Sequence, residues 1–266
     1  MKASPVVCNL IHVKLSECPV YEALSYQWGP ENVMRDIEIH GHPWHVRENL
    51  YWALSHLRYR EGCRLLWIDA LCINQMDNVE RGHQVYQMGM IYSHAERVCV
   101  WLGLADDSAH GTHRLLHRES TWDELKSGLL TRLNEWRHLA CLCEKEYWDR
   151  LWIIQEVVLA GKIEVHCGHL NFPWEKLSEA VSSLHGNIKG LYYDHPPILL
   201  KYVAFILRGY QTKHNFRAVR TAKTTSRTRQ PAHTIAVRAF ETIPKSSMCR
   251  CAGQDFRFAQ FRSCLL

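Results

Sequence analysis

The sequence predicts an α/β fold, a mostly parallel sheet with helices on both faces. Two apolar runs, RLLWID at Arg64–Asp69 and RVCVWL at Arg97–Leu102, have the pattern of strands buried on both faces. Between them Val85, Met88, Ile91, Tyr92 and Ala95 recur at helical spacing. Strand, helix and strand in that order, with no solvent-facing strand side, imply parallel pairing under a helical cover.

The remaining elements follow in chain order. YEALSYQW at Tyr21–Trp28 is β-prone and stops at Gly29-Pro30, a turn signal. Asp36–Ile39 and Trp44–Val46 flank the turn-prone Gly41-His42-Pro43, which predicts a hairpin. Arg47 to Tyr59 predicts a helix with Leu50, Leu54 and Leu57 on one face. Asp77, with Glu80 three residues on, has the form of a capping box opening the helix between the two buried strands. Two further helices are expected over Trp122–Cys143 and Trp148–Ala160, then a strand at Ile163–Cys167. Pro173 is expected in the first turn of a last helix reaching Leu184.

A chain of 266 residues holds one sizeable domain and a remainder. All ten tryptophans lie between Trp28 and Trp174, which places the core in the first two-thirds. The charge divides the same way. Residues 211–266 carry eleven Lys/Arg against two acids, +9, so the other 210 residues carry 21 against 25, −4. The basic stretch RAVRTAKTTSRTRQPAHT has no apolar period, so residues 211–266 are expected to be a disordered tail. A nucleic-acid-binding regulator acting through that tail is the least favoured alternative; lacking interleaved aromatics, the tail reads better as a solvated extension. No basic-then-apolar leader opens the chain, and the apolar run near Ile198–Leu207 is too short to span a bilayer. The eleven cysteines are odd in number, and several sit in apolar segments, so a reduced, cytoplasmic protein is expected. No Walker loop, GxGxxG or GxSxG elbow is present, which excludes P-loop, Rossmann and α/β-hydrolase chemistry. Cys141-x-Cys143 and His166-Cys167-x-His169 lack metal-ligand spacing, and no metal is expected.

Three ordered blocks resemble the heterokaryon incompatibility (HET) domain of filamentous fungi. They are YEALSYQWG at 21–29, the segment from Arg64 to Gly103, and RLWIIQEVVLA at 150–160. The resemblance implies a HET domain over residues 15–205 that triggers programmed cell death in fungal non-self recognition. Its partners would be further copies of itself or other death-signalling proteins. The family is thought to be distantly related to Toll/interleukin-receptor (TIR) domains, which implies a TIR/flavodoxin-like sheet. LSY resembles the first-strand motif of TIR domains. Trp152-x3-Glu156 resembles the helix on which enzymatic TIR domains carry an NAD-cleaving glutamate, with NAD as substrate and no cofactor. HET proteins usually continue with an Asp-Pro-Arg-Asp-like segment; none follows Leu207, which a truncated chain or a faulty gene model would explain.

Glu156 is the expected catalytic residue of an NAD glycohydrolase, anchoring the ribose and stabilising an oxocarbenium-like transition state. It lies in a helix that is apolar almost all round, where a carboxylate needs a partner or a task. A structural ion pair with Arg150 or Arg97 satisfies the same observation. Tyr26, Trp28 and Gly29 end the first strand, and Trp28 would stack on a base or plug the core. Asp69 closes a buried strand, facing a ligand crevice or capping its loop. Asn74 and Gln75, in that loop, would contact the ligand or satisfy backbone groups. The alternative to an enzyme is an adaptor that signals by contact.

Overall fold

The computed structural model describes residues 5–14, 17–59, 61–117, 133–188 and 255–262. Among the described residues nine strands form one sheet: β1 (Val7–Lys14), β2 (Glu22–Tyr26), β3 (Met34–Ile39), β4 (His42–Arg47), β5 (Cys63–Trp67), β6 (Arg97–Trp101), β7 (Ile163–Cys167), β8 (Leu170–Pro173) and β9 (Asp255–Arg262). Their order is β4-β3-β1-β9-β5-β2-β6-β7-β8. The helices are α1 (Glu48–Leu57), α2 (Asp69–Cys72), α3 (Asn78–His94), α4 (Asp107–Leu116), α5 (Leu133–Cys143), α6 (Ile153–Val158) and α7 (Trp174–Ile188), with a 3-10 turn at Glu146–Asp149.

The α/β class holds, but the sheet is mixed rather than mostly parallel. The β1–β3, β2–β5, β2–β6 and β6–β7 pairs are parallel. The β1–β9, β3–β4, β5–β9 and β7–β8 pairs are antiparallel. The parallel part is the run β5-β2-β6-β7, whose strand order reverses at β2. Every residue of β2 is buried there, as are Leu66, Trp67 and Val98–Trp101 of its neighbours, in keeping with strands covered on both faces.

β9 corrects the expectation of a wholly disordered tail. Residues Asp255–Arg262 lie inside the sheet, paired along their full length with β1 and with Cys63–Leu66 of β5. DFRFAQFR interleaves phenylalanines with charged and polar residues, a strand composition that the surrounding basic sequence obscures. Residues 211–254 and 263–266 lie outside the described residues. β1, ahead of the residue-15 boundary, and β8 are not among the strands expected from the sequence.

Local chemistry explains the other elements. The β3–β4 hairpin turns on His40 and Gly41, both at positive φ (52° and 79°), the backbone of a two-residue type I′ turn. Pro43 therefore falls in β4 rather than in the turn, on an edge strand where a missing N–H is tolerated. Asp77 caps α3, accepting from the Val79 and Glu80 amides at 2.8 and 3.1 Å. Glu80 does not complete a reciprocal box, because its carboxylate accepts from the Asn74 amide at 2.9 Å. Tyr21 and Tyr92 staple α3 to β2, the first donating to Ile91 O at 2.6 Å and the second to Leu24 O at 2.9 Å.

The helix expected over 148–160 is broken at Arg150, whose extended backbone (ψ 129°) separates the 3-10 turn from α6. That helix was also expected to be largely buried. Its buried residues are Trp148, Ile153, Glu156, Val157 and Ala160, while Leu151 and Trp152 are exposed. Of the helix expected from Trp122, residues 133–143 are helical and 122–132 lie outside the described residues. Pro173 ends β8, and α7 starts one residue later. No helix among the described residues is long and apolar enough to cross a membrane.

Candidate functional site

In open α/β sheets a crevice forms at the carboxyl ends of the strands where strand order reverses. Here that point is the end of β2. Ser25, one residue from that end, is fully buried, and a buried hydroxyl needs partners. It donates to Glu156 Oε2 at 2.5 Å. Its proton being used there, Ser25 Oγ accepts from the Tyr147 hydroxyl at 2.6 Å.

Glu156, on α6, is fully enclosed. Arg150 grips it with two hydrogen bonds, Nη1 to Oε2 at 2.9 Å and Nη2 to Oε1 at 2.8 Å. The extended backbone at Arg150 lets a residue six positions before Glu156 reach it as a fork. Burial works against the Arg150 charge, but the Glu156 carboxylate more than offsets this and holds the guanidinium above its ordinary value. Burial and the Glu156 charge push the Tyr147 hydroxyl upward, so it stays a neutral donor.

Asp69 follows β5 and joins the same cluster. Its Oδ2 accepts from the Trp28 indole N–H at 2.7 Å, and its Oδ1 from the Ala70 amide at 2.7 Å. Burial, and after it the Asp69 charge alongside, push the Tyr26 hydroxyl well above its ordinary value. Burial first, then the Glu156 charge, push the Asp69 carboxyl up to about 6, so a fraction of it is protonated near neutrality. Two carboxylates thus differ in kind, one fixed by an arginine and one poised to gain a proton.

The other expected site residues divide. Gln75 donates to Asp69 O at 2.9 Å and shapes the loop from behind. Asn74 is exposed, its carboxamide oxygen accepting from the Met76 amide at 3.1 Å, a local turn bond. Trp28 is partly buried, with the Arg47 guanidinium 4.9 Å from its ring centroid, so that face is covered by a cation. Gly29 adopts φ +77°, and its carbonyl accepts from Arg47 at 2.9 Å. The structure therefore gathers Tyr26, Trp28, Asp69, Gln75 and Glu156 and leaves Asn74 aside.

Ser25, Tyr147 and Arg150 were not singled out as site residues. A serine set between the apolar Leu24 and Tyr26 of a β-prone run is the signal for the first. Arg150 appeared only as a counter-ion, and nothing in the sequence marked Tyr147. Of the metal-type spacings weighed earlier, Cys167 donates to Leu104 O at 3.3 Å, Cys143 is buried and Cys141 is exposed. Cys8, Cys63, Cys99, Cys141, Cys143 and Cys167 are free thiols.

The fold and the three sequence blocks define a class. The chain belongs to the heterokaryon incompatibility (HET) family, whose model, described as "Heterokaryon incompatibility protein (HET)", matches residues 21–156, about half of the chain. The match begins at the tyrosine before β2 and ends on Glu156, so it frames the cluster. A curated relative is "Heterokaryon incompatibility protein 6, OR allele" of Neurospora crassa, 29% identical over 208 residues. That alignment takes in 61% of this chain and 31% of the relative, so the chain spans about a third of the relative's length. No solved structure matches.

Proposed function

We propose that this chain is a signalling domain of fungal non-self recognition that starts a death response, and that its output is made by contact rather than by chemistry. The carrying observation is the state of Glu156. Both of its oxygens are taken by Arg150 and Ser25, and the side chain is fully enclosed. A carboxylate so held is a structural pair; three of its four lone-pair sites are used, and the fourth is enclosed away from any ribose hydroxyl. Meanwhile Met76, Val79 and Tyr86 at the start of α3, and Leu151 and Trp152 before α6, expose apolar surface. α3 and α6 pack together, Gly89 lying against Gln155 and Leu159. Further copies of the chain are the partners this reading expects.

A second reading, NAD cleavage in a TIR/flavodoxin-like pocket, is favoured by a separate observation. The order β5-β2-β6-β7 follows the flavodoxin pattern, and Glu156, Asp69, Tyr26 and Trp28 meet at its reversal point. Catalysis there requires Arg150 to leave Glu156.

One experiment separates the two. Purified protein, concentrated enough to self-associate, is assayed for nicotinamide release from NAD beside a Glu156→Gln variant whose fold is checked by near-ultraviolet circular dichroism. The contact reading expects no release from either and weaker self-association, by light scattering, in Trp152→Glu. Release by the wild type that folded Glu156→Gln lacks would replace it with an NAD glycohydrolase.

A further inference from the structure

We propose that Cys99, Glu164 and His166 form a transition-metal site, suited best to Zn2+, that clamps β6 to β7. The site is built by sheet register. The parallel β6–β7 pair sets Cys99 opposite Glu164, and His166, two residues on, falls on the same face of β7. One ligand atom from each, the thiol sulfur, a carboxylate oxygen and a ring nitrogen, lies within 4.8 Å of the other two. His166 Nε2 and Glu164 Oε1 are 3.9 Å apart. Around a tetrahedral zinc such atoms sit about 3.3–3.6 Å from one another, given bonds of about 2.0–2.3 Å. Side-chain rotations that bring the atoms together by about 1 Å would close the site.

A second, independent observation points to a ligand. His166 Nε2 is buried and has no hydrogen-bond partner among the described residues. Enclosed polar atoms are seldom left so, and an enclosed ring nitrogen beside a carboxylate and a thiol is what an absent cation would satisfy. The donor set of one sulfur, one nitrogen and one oxygen suits zinc, and a metal with three protein ligands keeps a fourth position for water.

The surroundings suit an outer shell. Arg97 Nη1 donates to Glu164 Oε2 at 2.8 Å, and Asn171 Nδ2 donates to Glu164 Oε1, which fixes the carboxylate. Arg64 Nη2 lies 3.0 Å from Cys99 Sγ and can stabilise a thiolate. In the metal-free protein Cys99 donates instead to Glu22 Oε2 at 3.1 Å. Metal binding breaks that S–H bond, forms a metal–sulfur bond and releases one proton to solvent, with no redox change. Glu22 and Glu164 balance the charges of Arg64 and Arg97. A divalent ion with one thiolate therefore adds a single net positive charge.

Cobalt titration tests the site in the chelator-treated protein, because thiolate-bound Co2+ absorbs in the near ultraviolet and tetrahedral Co2+ in the visible. The expected result is one cobalt per chain with both bands, displaced by zinc. Cys63→Ser and Cys141→Ser, at exposed cysteines, should retain both bands. His166→Asn should weaken binding at least tenfold, and Cys99→Ser should abolish the thiolate band. Should Cys99→Ser fail to fold, His166→Asn, at a partly accessible position, carries the test alone. Absence of the bands at excess cobalt, or bands unchanged in folded His166→Asn, would overturn the proposal.

Discussion

The Arg150–Glu156 pair makes the most exposed quantitative claim. The Glu156 side chain is 1% accessible and that of Arg150 16%, and the contact is bidentate at 2.8 and 2.9 Å. Removing one partner of such a pair leaves the other charge enclosed, which costs about 3–5 kcal/mol. Arg150→Met should therefore destabilise the fold by that amount, a large share of a small domain's stability of about 5–15 kcal/mol. Glu156→Met should cost a similar amount, since it leaves the Arg150 guanidinium without its carboxylate. The double variant Arg150→Met/Glu156→Met removes both charges at similar volume and should return to within about 1–2 kcal/mol of wild type. Urea unfolding followed by tryptophan emission measures all four proteins, Trp148 and Trp152 lying two residues either side of Arg150. The signature is strong non-additivity, a coupling of at least about 2 kcal/mol. Single variants that each cost under about 1 kcal/mol and sum additively would refute the buried fork.

Three further outcomes follow from the site and its frame. Asp69, raised to about 6 against about 3.9 in the unfolded chain, contributes stability that is fully present below pH 4 and lost as pH rises through 6. The two-unit gap corresponds to at most about 3 kcal/mol, an upper bound because Asp69 keeps partial access to solvent. Asp69→Asn should abolish that component, and equal pH slopes in wild type and variant between pH 4 and 7.5 would contradict the assignment. Gly168→Ala should destabilise by about 1–3 kcal/mol, because φ is +56° and a Cβ would stand 2.8 Å from the Ala105 backbone nitrogen; an unchanged Tm would count against this turn. Gly111→Ala should cost a similar amount by driving a methyl into His138, 2.2 Å from the new Cβ, where α4 packs on α5; thermal denaturation reads it directly.

The parts of the fold legible in sequence are those where local pattern and tertiary environment agree. β5 and β6 announced themselves because strands covered on both faces cannot hide an apolar run. α3 did so because Asp77 is both a good cap and a real one. What was missed depends on distant partners. β9 is a strand because β1 and β5 leave a slot between them, a fact no window around Asp255–Arg262 contains. The mixed character of the sheet follows from that insertion and from two hairpin partners, β4 and β8. The break at Arg150 was likewise invisible, since no proline or glycine marks it. At the site, Glu156 and Asp69 were legible as carboxylates in apolar company. Ser25 and Tyr147 meet across 122 positions and could not be paired by spacing. Glu164 and His166 were only two residues apart, yet Cys99 reaches them solely through β6–β7 register.

Arg150 also sets the terms on which the two functional readings differ. If Glu156 has latent chemistry, the fork must open first, and a cost of about 3–5 kcal/mol holds the open state to about one molecule in 10²–10⁴. A trigger could switch the domain on only by binding the open form more tightly by a comparable factor. Substitution can do the same work without a trigger. Arg150→Met frees Glu156 while leaving Ser25, Tyr147 and the Asp69–Trp28 contact in place. A latent NAD glycohydrolase should then release more nicotinamide per folded molecule than wild type. A contact-signalling domain should release none, and its self-association should be unaffected apart from the loss of stability. The assay, corrected for the folded fraction by the urea curves, reads the sign directly: an increase in Arg150→Met that vanishes in Arg150→Met/Glu156→Met would overturn the contact reading.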